Sequence, residues 1–144
     1  MAELSLQYRA ATDAEHKFTA QKLLAHSEEK LGMHIATEPF GLFVYEGGTM
    51  IGNIIGKIYC KWLHIDLIWV DESRRSQGIG TQLINEALQK AAELDLTGIE
   101  VWTQSWQAPE FYHKLGFKEF AVIEDFNPGH MRHAFRYFIK KKIA

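Results

Sequence analysis

The spacing of hydrophobic and polar positions changes several times along the chain, and each change predicts an element. Leu4 to Arg9 reads as a short strand, and a helix follows from Thr12 to about Leu31. Thr12-Asp13-Ala14-Glu15 fits a capping box, in which the Thr hydroxyl and the Glu carboxylate satisfy each other's backbone N–H groups. Gly32 suits the left-handed residue that stops many helices. From Phe40 to Val70 the chain becomes β-branched and aromatic, which predicts antiparallel strands over 40–46, 49–60 and 62–70 with a turn at Glu46-Gly47-Gly48-Thr49. Leu83, Ile84, Ala87, Leu88, Ala91 and Leu94 then recur at three- and four-residue steps, a helix with one apolar face. Ile99 to Thr103 reads as a buried strand. A short helix spans 109–115, with Pro109 in its first turn where a missing N–H costs least. Residues 117–126 and 135–139 close the chain as a hairpin across the loop 127–130.

This order of elements predicts a mixed α/β (α+β) sandwich around one sheet, neither a barrel nor a doubly wound nucleotide-binding fold. The chain has 144 residues, which suits one domain over 1–144. Nine Phe, four Trp and a net charge of only -2 exclude a disordered chain and disfavour nucleic-acid binding driven by bulk charge. The single cysteine, Cys60, has no partner for an internal disulfide, and it reads as a buried strand residue without a supporting nucleophile motif. No apolar run approaches the roughly 18 residues of a membrane span, and Glu3 stands where a signal peptide carries positive charge. The expectation is a cytoplasmic protein with no membrane or nucleic-acid partner.

Candidate chemistry is densest in Arg74-Arg75-Ser76-Gln77-Gly78-Ile79-Gly80-Thr81, between a predicted strand and an amphipathic helix. A helix N-terminus offers unpaired N–H groups and partial positive charge, so a pyrophosphate placed there meets several donors at once. Glycines at 78 and 80 remove Cβ atoms from its path, and the two arginines add charge. The loop lacks the Lys of a P-loop, and Leu83 stands where the dinucleotide fingerprint has its third glycine. Taken alone, the segment fits a plain strand-to-helix turn equally well.

A second segment changes that balance. Arg75-Ser76-Gln77-Gly78-Ile79-Gly80 matches the Arg/Gln-x-x-Gly-x-Gly/Ala signature of the GNAT superfamily of N-acetyltransferases. About thirty residues on, Ala108-Pro109-Glu110-Phe111-Tyr112-His113-Lys114-Leu115-Gly116-Phe117 resembles that family's second conserved segment. The chain also resembles small bacterial members with Gln-Ala-Pro-x-Phe-Tyr and a later Pro-Gly-His, here Gln107 to Tyr112 and Pro128 to His130. It departs from them at Ser105, where many relatives have Asn.

The resemblance implies a mostly antiparallel twisted sheet of six to seven strands flanked by three to four helices. It also implies transfer of an acetyl group from acetyl-CoA to a primary amine of a small molecule, in a ternary complex and without a metal. Peptide or lysine amines are the alternative acceptors, and a CoA-binding module without turnover is the alternative outside the class. The pyrophosphate is expected on residues 77–81, with Arg75 and Ser76 beside it, and the pantetheine arm along Leu67, Ile68, Trp69 and Val70. An N–H near Trp69 or Val70 would polarise the thioester carbonyl. Ser105 and Phe111 complete the expected cofactor contacts, and Tyr112 occupies the position of the family's acid for the leaving thiolate.

An alkylamine is protonated at pH 7, and removing its proton costs about 4–5 kcal/mol. Strand alternation places His64, Asp66 and Ile68 on one face and Leu63, Ile65, Leu67 and Trp69 on the other, and the resemblance sets His64 where some relatives carry a glutamate base, so His64 or Asp66 is the expected base, with a water as the alternative. His130 and His133 have a metal-like spacing but no clear third ligand. Glu28, Glu29, Glu38, Glu124 and Asp125 flank the expected acceptor region, where they either attract a cation or are simply solvated. Trp62, Trp69, Trp102 and Trp106 look too scattered for a binding platform. Phe135, Tyr137 and Phe138 suit a homodimer interface or the core equally.

Overall fold

A computed structural model describes residues 2–140. By its contacts the chain falls into two compact units, Met1–Ile35 and Ala36–Ala144.

The first unit is built on helix α1, Asp13–Leu31. The predicted capping box forms: the Glu15 N–H donates to Thr12 Oγ1 at 3.2 Å, and the Thr12 N–H donates to Glu15 Oε1 at 3.0 Å. Arg9 pairs with the same carboxylate at 2.5 Å, and with the Thr12 donors it holds the Glu15 carboxyl down at about 2. Gly32 ends the helix at φ 67°, its N–H bonded to Glu28 O at 2.8 Å. The expected strand over 4–9 does not form; those residues are irregular, with Leu4, Leu6 and Tyr8 fully exposed. A strand exists only in a ladder, and three apolar side chains do not create one.

The second unit is a six-stranded sheet with two helices. Its elements are β1 (Thr37–Glu46), β2 (Thr49–Tyr59), β3 (Trp62–Val70), α2 (Ile79–Glu93), β4 (Gly98–Gln104), α3 (Pro109–Lys114), β5 (Lys118–Asn127) and β6 (His130–Phe138), and a 3-10 turn at Glu72–Arg74 precedes α2. The strand order is β1-β2-β3-β4-β6-β5, and among the described residues only β3 and β4 run parallel. That pair needs a crossover, which α2 supplies. Strand β6 begins five residues earlier than expected, because Arg132 to Phe138 pair with Gln104 to Gly98. Backbone pairing extends the strand across polar residues that an apolar pattern does not mark.

One face of the sheet carries the core. Ile54, Leu63, Ile65, Ile99 and Val101 pack against Leu83, Ile84, Ala87 and Ala91 of α2, while Tyr112, Phe117 and Phe135 extend the cluster toward α3. Ala87 and Ala91 are fully buried, and their small side chains let α2 approach closely. Phe135 is also fully buried, whereas Phe138 is exposed, so the aromatic last strand divides between core and surface.

Candidate active site

Strands β3 and β4 pair only from Trp62–Gly98 to Ile65–Val101, and the ladder ends there. The reason lies across β3. Gly56 of β2 faces Ile65 and Ile55 faces Leu67, so Asp66 is an extra, unpaired residue, a β-bulge. Gly56 permits it: a Cβ there would stand 2.2 Å from the His64 carbonyl oxygen. The bulge also corrects the expected alternation. Leu63 and Ile65 face the core, but after Asp66 the faces exchange, so Ile68 and Val70 pack on the core while Leu67 and Trp69 are exposed. One extra residue inverts every side chain beyond it.

Between the parted strands lies a cleft of about 1070 Å³, lined by β3 from Ile65 to Val70, by β4 from Val101 to Gln104, by the loop before α2 and by α3. Among the described residues the edge of β3 facing it has no ladder partner beyond Ile65. The Asp71 N–H bonds to Ile51 O at 2.8 Å on the β2 side, so by alternation the backbone groups of Ile68 and Val70 point to the open edge and those of Trp69 point to β2.

At one end of this edge the chain turns into α2. The first α2 donor with a partner is the Gln82 N–H, bonded to Gly78 O at 3.0 Å. Among the described residues no hydrogen bond engages the N–H groups of 76–81. Gly78 has φ 82° and open space where a Cβ would be, and Ser76 takes a left-handed conformation at φ 66°. Gly80 serves packing as well: its Cβ would meet the Phe111 ring at 3.2 Å. Arg75, Ser76, Gly78, Ile79, Gly80 and Thr81 all line the cleft, and Gln77 does not. Arg75 donates through Nε to Val70 O at 3.4 Å, and Arg74 is ion-paired with Glu46.

Tyr112 and Phe111 line the cleft from α3. The Tyr112 ring stacks on Phe135 at 5.7 Å and meets Phe111 and Phe117 edge-on. This burial pushes the phenol up to about 12, so it is neutral throughout the physiological range. Asp66 lines the cleft too, with Lys57 Nζ 3.5 Å from its carboxylate. His64 lies outside the lining, its Nδ1 3.7 Å from Glu100, whose carboxylate accepts from the Trp102 indole at 3.0 Å. Ser105 is also outside. Its Oγ accepts from the Met131 N–H at 3.1 Å and meets His130 Nδ1 at 3.1 Å, tying the end of β4 to the β5–β6 hairpin.

His133 turns to Glu119 at 3.3 Å, away from His130's partner. Glu28 accepts from the Ile35 N–H at 2.9 Å, which with desolvation opposing it leaves the carboxyl below its usual value; it is part of a helix end. Glu38, Glu124 and Asp125 are exposed and outside the cleft lining, and Cys60 is exposed rather than buried. Three residues that the sequence did not single out together do line it: Trp102, Trp106 and Arg132. No local pattern in the sequence marks them as a group; the β4–β6 ladder, in which Arg132 faces Gln104, brings them together.

The site thus joins a parallel pair that parts at a bulge to unpaired donors at the following helix. The model of the acetyltransferase (GNAT) family matches residues 5–117, and the chain belongs to that family. It is 39% identical over 89 residues to blasticidin-S acetyltransferase of Streptomyces morookaense, covering 61% of this chain and 65% of that protein, a little under two thirds of its length. It is 31% identical over 111 residues to the peptidyl-lysine N-acetyltransferase YjaB of Salmonella typhimurium, covering 77% of this chain and 72% of that one. The crystal structure of an acetyltransferase from Bacillus cereus superposes with a TM-score of 0.83 at 34% identity, over 92% of this chain and 97% of that chain. An acetyltransferase of Bacillus anthracis solved with acetyl coenzyme A superposes with a TM-score of 0.62 at 25% identity, over 70% and 62% of the two chains.

Proposed function

We propose that this protein transfers the acetyl group of acetyl-CoA to a primary amine of a small-molecule acceptor, by direct attack within a ternary complex. The observation that carries the reading is the free β3 edge running into six unpaired N–H groups at 76–81. Unpaired backbone donors at a helix N-terminus suit a pyrophosphate, and an open strand edge suits the amide-bearing pantetheine arm. The cleft volume lies just above the roughly 300–1,000 Å³ of ordinary ligand sites, which suits a long cosubstrate.

In this reading acetyl-CoA supplies the activated acyl group, and the chain positions it and moves protons. The Val70 or Ile68 N–H, rather than that of Trp69, polarises the thioester carbonyl. Tyr112 faces the departing sulfur. A phenol near 12 is a weaker acid than a thiol near 8.5, so complete proton transfer would cost about 5 kcal/mol, and Tyr112 acts as a hydrogen-bond donor to the thiolate instead. Asp66, in the cleft lining, attracts the cationic amine in this reading. Because His64 is outside the lining, it accepts the amine proton through water, with Glu100 behind it.

Peptide lysine amines are the second reading, favoured by the likeness to a peptidyl-lysine N-acetyltransferase. A thiol-release assay with acetyl-CoA against small amines and lysine-containing peptides separates the two. Release with small amines above background hydrolysis is the expected outcome; release with peptides alone selects the second reading, and binding of CoA without release by any amine defeats both.

A further inference from the structure

Among the described residues five charged side chains line the cleft: Asp66, Arg74, Arg75, Lys114 and Arg132. Asp66 has Lys57 beside it, Arg74 is paired with Glu46, Arg75 is turned to Val70 O, and Lys114 is exposed to solvent. Arg132 is different. Its guanidinium lies over the Trp102 ring at 4.6 Å and against Phe126 at 5.3 Å, so its plane is held by aromatic faces. Its Nε is buried without a hydrogen-bond partner, and among the described residues the Arg132 side chain makes no ion pair or hydrogen bond. A guanidinium fixed in orientation, partly desolvated and without an anion is unusual, because buried donors and charges are ordinarily paired.

The anion it suits is not the pyrophosphate. Val101 and Phe135 are opposite each other on the core face, under α2, so their neighbours Trp102, Gln104 and Arg132 stand on the other face. The unpaired N–H groups of 76–81 belong to the α2 side, and the cleft passes between β3 and β4 from one side to the other. Arg132 therefore addresses whatever enters from the face away from α2. We propose that Arg132 is the specificity-determining anchor for a carboxylate on the acceptor, and that the preferred substrates are amines that also bear a carboxylate. The planar fork held against Trp102 matches a carboxylate in two parallel hydrogen bonds, which an ammonium or a neutral hydroxyl does not offer. This rests on the acetyl-transfer reading above and adds the chemical class of its acceptor.

The test compares amines that differ only in the carboxylate: lysine against 1,5-diaminopentane, and tyrosine against tyramine. The wild type is expected to show kcat/KM at least about tenfold higher for the carboxylated member, the scale of one charge-assisted pair. In Arg132→Met the ratio falls toward one, and Arg132→Lys, which keeps the charge and guards against a folding defect, retains part of it. Acetylation without preference in the wild type overturns the anchor and leaves the acetyl-transfer reading standing. A KM for acetyl-CoA raised equally with every acceptor in Arg132→Met overturns it also, since that marks a cosubstrate contact. If no amine is acetylated, calorimetry of the CoA-loaded protein with lysine and 1,5-diaminopentane decides. Tighter lysine binding that Arg132→Met abolishes upholds the anchor while the transfer reading falls, and equal binding overturns the anchor.

Discussion

Tyr112 shows how burial sets chemistry at the scale of one residue. Its ring is fixed by Phe111, Phe117 and Phe135, and the desolvation that comes with them is what raises the phenol to about 12. A side chain meant to transfer its proton fully would be tuned toward neutrality; this one is tuned away from it. Tyr112→Phe removes the hydroxyl and keeps the packing. We expect kcat to fall roughly 10–100-fold, the value of a hydrogen bond to a charged group, with the KM for acetyl-CoA within about twofold. Steady-state kinetics check this, and an unchanged kcat removes Tyr112 from the mechanism. The motif makes Tyr112 legible in the sequence. The pairing of Arg132 with Trp102 is not legible, because thirty residues separate them in the chain and only the β4–β6 register brings them together.

At the scale of the element, the decisive feature is the bulge in β3. Asp66 adds one residue against β2, exchanges the faces beyond it and ends the pairing with β4, and so the cleft exists. Gly56 is its structural requirement, since any Cβ would press into the His64 carbonyl. Gly56→Ala is expected to cost about 1–3 kcal/mol in denaturant unfolding, as overpacking does, and to raise the KM for acetyl-CoA as the gap narrows. Wild-type values for both would show that the bulge does not depend on this glycine. Helix elements were easier to foresee. The capping box at Thr12 and the glycine stop at Gly32 are short-range chemistry, and both stand where the pattern placed them. The strand expected over 4–9 failed for the converse reason, since a strand depends on a neighbour that local pattern does not contain.

At the scale of the whole molecule, the buried phenol couples the core to pH. The Tyr112 hydroxyl titrates near 10 when unfolded and about 12 when folded. Below pH 10 both states hold the proton, and above it the unfolded state loses the proton first, so stability falls as pH rises toward 12, by up to about 3 kcal/mol. Urea unfolding of wild type and Tyr112→Phe between about pH 8 and 11 should show the variant gaining relative stability with pH. Parallel curves would mean that the phenol is not buried in solution. The sequence by itself determined what rests on neighbours in the chain: the helix and its caps, the alternation of strands and helices, and the two motifs that mark the acetyltransferase family. Only the tertiary structure decided which strands part, which face each β3 side chain takes, and that Trp102, Phe126 and Arg132 meet. Those outcomes depend on ladder register between distant segments, and a single bulged residue reverses them without altering the local pattern.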